Sequence, residues 1–479
     1  MLRQTKIVAT LGPATDDPKV LDKLIEAGTD VVRLNFSHGT GDVHRLRAQA
    51  VRERAQEYDR HIGVLVDLQG PKVRIGRFKS GKITLREGDK FIVNSDLPLD
   101  EGTQEQVGVT YKGLPGDVDR GSTLLLDDGR LALWVDQVQG PEVMCRVVSG
   151  GELKDGAGLN RQGGGLSAEA LTEKDRADIE TAAAIEADYL GVSFLRSAAD
   201  VREARELFKA AGGHGGIVAK IERAEAVDAI DEIIGASDVI MLARGDLGVE
   251  MGDAALPPLQ KRIIRLTRQG NKIAITATQM MESMIHRAIP TRAEVSDVAN
   301  AVLDGTDAVM LSAETAIGEY PVAAVSAMDR VCREAEKQQE AIWFRERRDV
   351  SFERVDEAIA MAVMYSANHL PVKAIAALTE SGSTALWMSR VNSAVPVYAL
   401  TPHVETGRKV TLYRGVYPVN FNHTTDDPAQ VMAEAVDELR RRGAVREGDL
   451  VILTIGEPLR EPGGTNSLKI VRVRGLPEA

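Results

Sequence analysis

Four ionisable residues punctuate one stretch of this 479-residue chain, and their types and spacing suit the handling of a phosphate. Lys220 and Glu222 lie at the end of the apolar run 217–221, and Arg244 and Asp246 follow the run 239–243. Two carboxylates a few ångströms apart repel unless something cationic lies between them, and Glu and Asp supply the hard oxygens that Mg2+ prefers. A divalent ion beside an ammonium is equipment for a phosphoryl group. Solvated loop charges or a structural ion-pair cluster would explain any one of these residues. They explain four at the ends of two adjacent buried strands less well.

Such residues meet only if the backbone carries both strand ends to one side. Residues 216–248 read as strand, helix, strand, with Ala224, Val227, Ile230, Ile233 and Ile234 at helical apolar spacing. In a parallel crossover unit the C-terminal ends of both strands open on the same side. The alternation extends along the chain, with strands predicted at 6–11, 31–36, 63–67, 189–194, 272–277 and 308–311. That makes about eight strand–helix units, the number that closes a (β/α)8 TIM barrel with its chemistry at the C-terminal strand ends. An open doubly wound sheet is second choice, because no GxGxxG follows the first strand. The strand ends then carry Arg33, Asn35, Phe36, Ser37 and His38, Asp67 and Arg74, Ser193 and Arg196, Lys220 and Glu222, Arg244 to Asp246, Thr278 and Gln279, and Ser312 and Glu314.

Between about residues 71 and 167 the alternation stops, and short β-like runs are separated by Gly, Asp and Pro. The expected organisation is a first barrel segment at 1–70, an inserted all-β lid (a β-barrel) at 71–167, the remaining barrel segment at 168–345, and a C-terminal α/β domain at 346–479. Gly163 to Gly165 is the expected hinge of the insert, and the charged stretch 344–348 ends a helix or links domains. In the C-terminal domain, TESGST (379–384) follows a strand and opens a helix. Its amides and hydroxyls suit either an anion or an ordinary N-cap.

Bulk properties narrow the setting. A net charge of −12 argues against nucleic acid or anionic membrane as main partners. Two distant cysteines, Cys145 and Cys332, fit a reducing cytosol. Neither a signal-peptide core nor a bilayer-length apolar run is present, so a cytoplasmic location is expected.

The strings TKIVATLGP, RLNFSHG, DLQGPK, VAKIERAEA, ARGDLGVE, ATQMMESM with PTRAEVSDVANAVLDG, and MLSAET resemble pyruvate kinase, in that family's order, and LTESG, LYRGVYPV and GGTNSLKI extend the match over nearly the whole chain. The resemblance implies a catalytic barrel, a mobile lid and an effector domain, in a homotetramer. The implied reaction is phosphoryl transfer from phosphoenolpyruvate to ADP, giving pyruvate and ATP. Glu222 and Asp246 would hold Mg2+ (or Mn2+), while the backbone at Gly245 and Asp246 and the Thr278 hydroxyl would hold the substrate carboxylate. Lys220 would meet the phosphoryl in flight, Arg33 and Arg74 would grip phosphate, and Asn35 to His38 would contact the nucleotide. Thr278 would end the relay that protonates the enolate, with Ser312 and Glu314 behind it. Thr379 and Ser381 to Thr384 would receive a phosphorylated sugar or nucleotide effector.

Three departures from the family pattern stand out. Ala157 precedes Gly158-Leu159-Asn160 where a nucleotide-contacting lysine is usual, and Lys154 is the nearest substitute. Glu380 sits where members activated by fructose bisphosphate often carry a cation, which argues against that activator. Lys72, Leu68 and Gln69 replace the acidic residue, Thr and Lys of potassium-dependent members. The family K+ site would be Asn35, Ser37, Asp67 and the backbone of Leu68, and the Lys72 ammonium is expected to take the place of K+. Two rival readings are a Mg2+-dependent enolpyruvate aldolase or lyase on a similar barrel, and a catalytically silent metabolite sensor.

Overall fold

The computed structural model describes residues 2–338, 352 and 354–474. Eight parallel strands close a barrel: β1 (Lys6–Leu11), β2 (Val31–Asn35), β3 (Gly63–Asp67), β4 (Tyr189–Val192), β5 (Gly216–Ile221), β6 (Val239–Ala243), β7 (Ile273–Ala277) and β8 (Ala308–Leu311). Each strand pairs with its sequence neighbours, and β8 returns to β1. Every residue of β1, β3, β5, β6 and β7 is buried, which is why these strands read as unbroken apolar runs rather than alternating ones. Two apolar layers result. One lies between strands and surrounding helices (Leu24, Val51, Ile179, Phe208, Ile233, Ile263, Val302, Met328). The other fills the barrel interior (Val8, Val31, Leu65, Val218, Met241, Ile275) and continues without a break into the C-terminal domain (Ile375, Val397, Val410, Ile452).

That domain is a five-stranded sheet in the order β11-β10-β9-β12-β13, with β9 (Val372–Leu378), β10 (Val397–Thr401), β11 (Val416–Asn420), β12 (Leu450–Gly456) and β13 (Thr465–Arg472). Only β13 runs antiparallel, against β12. The boundary expected at 345 to 346, and the charged stretch 344–348, lie outside the described residues.

The insertion follows β3. Its strands form a two-stranded sheet (Lys82–Leu85 with Gly151–Lys154) and a six-stranded sheet running from Leu159–Arg161 to Gln106–Gly108. Residues 73–76 run between the two edges of the larger sheet, where Arg74 bridges Gly158 and Ile75 bridges Val109. The Leu159 amide donates to the Val73 carbonyl and the Thr110 amide to the Arg74 carbonyl, each at 2.9 Å, so the two short edge strands meet across this segment.

The returning segment is fastened to the barrel at several points. Gly163, Gly164 and Gly165 all have left-handed backbone (φ 81°, 79° and 93°). The Gly163 amide donates to the Glu250 carbonyl at 2.9 Å, Arg223 donates to the Leu166 carbonyl at 3.0 Å, and the Gly165 amide donates to the Glu225 carboxylate. Burial raises the Glu250 carboxyl to about 7, with Glu225 adding to the rise and the Ala224 amide and Arg223 opposing it. Among the described residues no helix is long and apolar enough to cross a membrane.

Candidate active site

Parallel registry sets the floor of the site. Arg33 lies beside Thr10 and Leu65, and Asn35 beside Asp67, which in turn lies beside Gly191. A Cβ on Gly191 would stand 3.3 Å from Asp67 Oδ1, so glycine there leaves room for the carboxylate. Asp67 is fully buried and accepts from Arg33 Nε at 2.6 Å, and its other oxygen lies 3.0 Å from Lys220 Nζ. The Arg33 guanidinium also donates to Thr10 Oγ1 at 3.1 Å.

Lys220 is the centre of the constellation. Its ammonium lies 2.9 Å from Glu222 and donates to Ser193 Oγ at 2.6 Å, with the side chain 10% exposed toward the barrel mouth. Burial alone would favour neutral lysine, but Asp67 and Glu222 more than offset it and hold the ammonium above its ordinary value. The same pairing works in reverse on Asp67. Burial would raise it, and Lys220 with Arg33 keeps it below the usual carboxylate range. Glu222 goes the other way. Burial, only partly offset by Lys220, raises its carboxyl, and nearby Asp246 and Asp67 add repulsion. Its second oxygen accepts from the Phe194 amide at 2.7 Å.

Asp246 reaches the mouth on the first turn of the helix Arg244–Met251, which begins directly after β6 without a loop. Lys72, on the chain leaving for the insert, lies 3.2 Å from Asp246 Oδ1. The amide of Gly245 donates to Thr278 Oγ1 at 2.8 Å, and that hydroxyl donates to the Ala277 carbonyl at 2.6 Å. Glu222 and Asp246 fit a divalent cation: they are hard oxygen donors whose mutual repulsion a cation would relieve. Among the described residues no group of three or more His, Cys, Asp or Glu forms a complete cage, so further ligands would come from water and substrate, as is usual for Mg2+.

The remaining predicted residues are spread around this core. Among the described residues Ser312 Oγ is buried without a hydrogen-bond partner, while Glu314 accepts from the Ser312 and Met281 amides at 2.7 and 3.1 Å and so ties the ends of β8 and β7 together. Asn35 Oδ1 accepts from the Ser37 amide at 3.1 Å, and the Leu68 carbonyl accepts from Ser193 at 2.7 Å. Phe36 is buried and stacks on His44 with centroids 4.2 Å apart, while the His38 side chain is exposed. Arg74 is exposed in the insert and donates to the Gly156 carbonyl at 3.0 Å. Lys154 is three-quarters exposed, with Glu152 at 3.9 Å.

Arg244 is the residue whose direction differs from expectation. It does not share the mouth with Asp246. Its guanidinium turns sideways to Asp297, at 2.8 and 2.7 Å. Sequence reasoning misses Asp297, Thr10 and the lysine that braces this region, Lys174, which donates to the Phe36 carbonyl at 2.8 Å. Thr10 and Asp297 lie within the strings TKIVATLGP and PTRAEVSDVANAVLDG, but neither string names their partners, which only the folded chain brings to them.

Residues 2–325 match the family described as "Pyruvate kinase, barrel domain", and residues 357–471 match "Pyruvate kinase, alpha/beta domain". The chain belongs to the pyruvate kinase family. Relatives in the family include "Pyruvate kinase II" of Salmonella typhimurium, 56% identical over 98% of this chain and 99% of that protein. The pyruvate kinase of Haemophilus influenzae is 54% identical over 95% of this chain and 96% of its own. That of Geobacillus stearothermophilus is 42% identical over 98% of this chain and 80% of its own length.

Proposed function

We propose that the cluster around Lys220 carries the pyruvate kinase reaction, phosphoryl transfer from phosphoenolpyruvate to ADP. As a member of the family the chain is a phosphotransferase. The observation that carries the assignment of roles is the Lys220 ammonium, held by Asp67, Glu222 and Ser193 beside the second carboxylate, Asp246. Lys220 stabilises the equatorial oxygens of the phosphoryl as the bond to the enol oxygen breaks and the bond to the ADP oxygen forms. Arg33, anchored by Asp67 and Thr10, presents its remaining donors to phosphate. Mg2+ or Mn2+, held by Glu222 and Asp246, would supply charge neutralisation at the substrate oxygens. The substrate carboxylate lies at the N-terminus of the helix Arg244–Met251, where the first backbone amides lack intrahelical partners. It competes there for the Gly245 amide that Thr278 Oγ1 occupies, which brings the Thr278 hydroxyl within reach of the enolate carbon that is protonated last. Asn35 to His38 and Arg74 take the nucleotide, with Ser312 and Glu314 behind Thr278. The test is ATP formation from phosphoenolpyruvate and ADP with Mg2+, abolished by a chelator. No ATP here, with pyruvate released from a 4-hydroxy-2-oxo acid instead, would point to a lyase, and no turnover of either substrate to a sensor.

The second proposal is that the enzyme works without K+. Its support is the position of Lys72, directed at Asp246 rather than into solvent. A tethered ammonium brings the same charge as K+ to the Asp246 side of the site with no dependence on concentration. Initial rates in tetramethylammonium buffer, at constant ionic strength, are expected to be unchanged by KCl. Lys72→Glu should create a KCl stimulation of roughly ten-fold or more, since unit charges 4 Å apart interact by about 1 to 4 kcal/mol between bulk water and protein surface. Strong stimulation of the parent enzyme by KCl would sink the proposal.

The third concerns Thr379 and Ser381 to Thr384 as receptor for the phosphate of a sugar phosphate or nucleotide. Support comes from the tight turn there: Gly382 is left-handed (φ 81°), its amide donates to Thr379 Oγ1 at 2.9 Å, and Thr384 Oγ1 meets Thr465 Oγ1 at 2.6 Å. Glu380 lies 2.5 Å from His403 Nε2. Ser383→Glu should abolish the shift of the phosphoenolpyruvate saturation curve by such a metabolite, through repulsion of the anion. The proposal fails if a panel of sugar phosphates and nucleotides leaves the parent's curve unmoved.

A further inference from the structure

Thr278 and Gln279 are consecutive non-glycine residues with left-handed backbone, φ 67° and 53°. For threonine, whose branched Cβ crowds the following carbonyl, this region is an outlier that persists only where surrounding contacts enforce it. The contacts that enforce it converge on Arg244. Its Nη2 donates to the Thr278 carbonyl at 2.8 Å and the Gln279 carbonyl at 3.4 Å, and its Nε to the Ala277 carbonyl at 3.4 Å. Met280 Sδ lies 2.8 Å from the same Nη2. In an extended chain successive carbonyls point to opposite sides, so three in a row reach one guanidinium only when the chain coils tightly.

The guanidinium is itself held. Asp297, on the helix Arg292–Leu303, takes both terminal nitrogens at 2.8 and 2.7 Å, and Gln260 Oε1 lies 3.3 Å from Nη1. That helix starts with a capping box in which Glu294 also accepts from Ser283, at 2.7 Å from the amide and 2.6 Å from the hydroxyl, so the loop after β7 is pinned at two points. The Arg244 side chain is 7% exposed. Its own backbone opens the helix whose Gly245 amide donates to Thr278 Oγ1.

We propose that Arg244, braced by Asp297, is a positioning residue. It forces Thr278 and Gln279 into the left-handed turn that aims the Thr278 hydroxyl at Gly245 and the substrate. The inference rests on the reading of Thr278 as carboxylate partner and end of the proton relay. A lysine cannot replace the arginine here, because a single ammonium cannot span a carboxylate and three carbonyls in one plane.

The experiment compares Arg244→Lys, Asp297→Ala, Thr278→Val and the double variant Arg244→Lys with Gln279→Gly. Each is assayed for kcat, for KM of phosphoenolpyruvate and of ADP, and for exchange of pyruvate methyl hydrogens with deuterated water, the reverse of enolate protonation. Arg244→Lys and Asp297→Ala should slow exchange roughly ten- to a hundred-fold and raise KM for phosphoenolpyruvate, with KM for ADP changed less than about two-fold. Glycine enters the left-handed region without a Cβ penalty, so Gln279→Gly should recover at least several-fold of the exchange lost in Arg244→Lys. A merely structural arginine would show no such recovery. Circular dichroism and thermal melting check folding. Should Arg244→Lys not fold, Asp297→Ala decides, since it removes only a partly exposed brace. Parental exchange in Thr278→Val overturns the role given to Thr278. With that role intact, parental exchange in Asp297→Ala, or a loss in Arg244→Lys that glycine leaves untouched, overturns the clamp.

Discussion

Lys220→Met is expected to lower turnover by about three orders of magnitude or more while KM for phosphoenolpyruvate stays within a few-fold of the parent value. The ammonium is positioned by three buried oxygens, Asp67, Glu222 and Ser193, and so needs no reorganisation when charge develops on the phosphoryl. At an effective dielectric of about 20, unit charges 4 Å apart interact by roughly 4 kcal/mol, which is about a thousand-fold in rate if it is felt only in the transition state. Ground-state substrate still has Arg33 and the helix N-terminus at Gly245, so binding should survive. Loss of the ammonium also leaves Asp67 with Arg33 as its remaining ion-pair partner among the described residues and Glu222 without its ion pair. Circular dichroism must therefore show a folded variant before the rates are compared. A coupled assay of ATP formation decides the matter. Near-normal turnover with a greatly raised KM would mean that Lys220 binds the ground state and contributes nothing special to transfer.

The barrel is legible in the sequence because its strands are buried on both faces. Such strands leave short apolar runs between helices, and 6–11, 63–67 and 239–243 show them without ambiguity. The C-terminal sheet is less legible. Half-buried β11 contains Pro418, and β13, TNSLKIVR, buries little and runs along a sheet edge, so neither shows the apolar run or the clean alternation that marks a strand. The helix Pro428–Arg441 is absent from the expected elements although Asp427 caps it, Pro428 opens it, and Val431, Ala435 and Leu439 line its buried face.

For the site, strand-end position is enough to collect Lys220, Glu222, Asp246 and Thr278. Side-chain direction is not so readable. Arg244 is expected at the mouth if a loop follows β6, and a helix starting at Arg244 itself turns the side chain toward β7 instead. Asp297 falls within the string PTRAEVSDVANAVLDG, but its role is not readable there, since a carboxylate inside an ordinary helix 53 residues later carries no mark of the strand end it braces.

Asp307→Ala should destabilise the protein by about 3 to 5 kcal/mol, because it removes one half of an ion pair with no solvent access. Asp307 lies at the base of β8 and Arg390 just past the helix Ser383–Ser389 of the C-terminal domain, and both side chains are fully buried. Arg390 donates to both Asp307 oxygens, at 2.5 and 3.1 Å, and to the Lys272 carbonyl at 2.5 Å, while the Ala274 amide donates to Asp307 at 2.8 Å. The pair therefore sits where the barrel interior and the C-terminal domain share one apolar core. Removing the carboxylate strands a guanidinium in that core with only carbonyl and hydroxyl partners, and strands an amide as well. The effect should be independent of salt, since buried charges are screened little. Removing both charges together, in Asp307→Leu with Arg390→Met, should cost less than the single change, because no unpaired ion remains. Some cost persists, since the Ala274 amide and the Lys272 carbonyl still lose partners. Urea unfolding followed by circular dichroism gives the comparison. A double variant less stable than Asp307→Ala would mean that the pair contributes net stability beyond avoiding a stranded charge, and an Asp307→Ala variant as stable as the parent would mean that water reaches the seam.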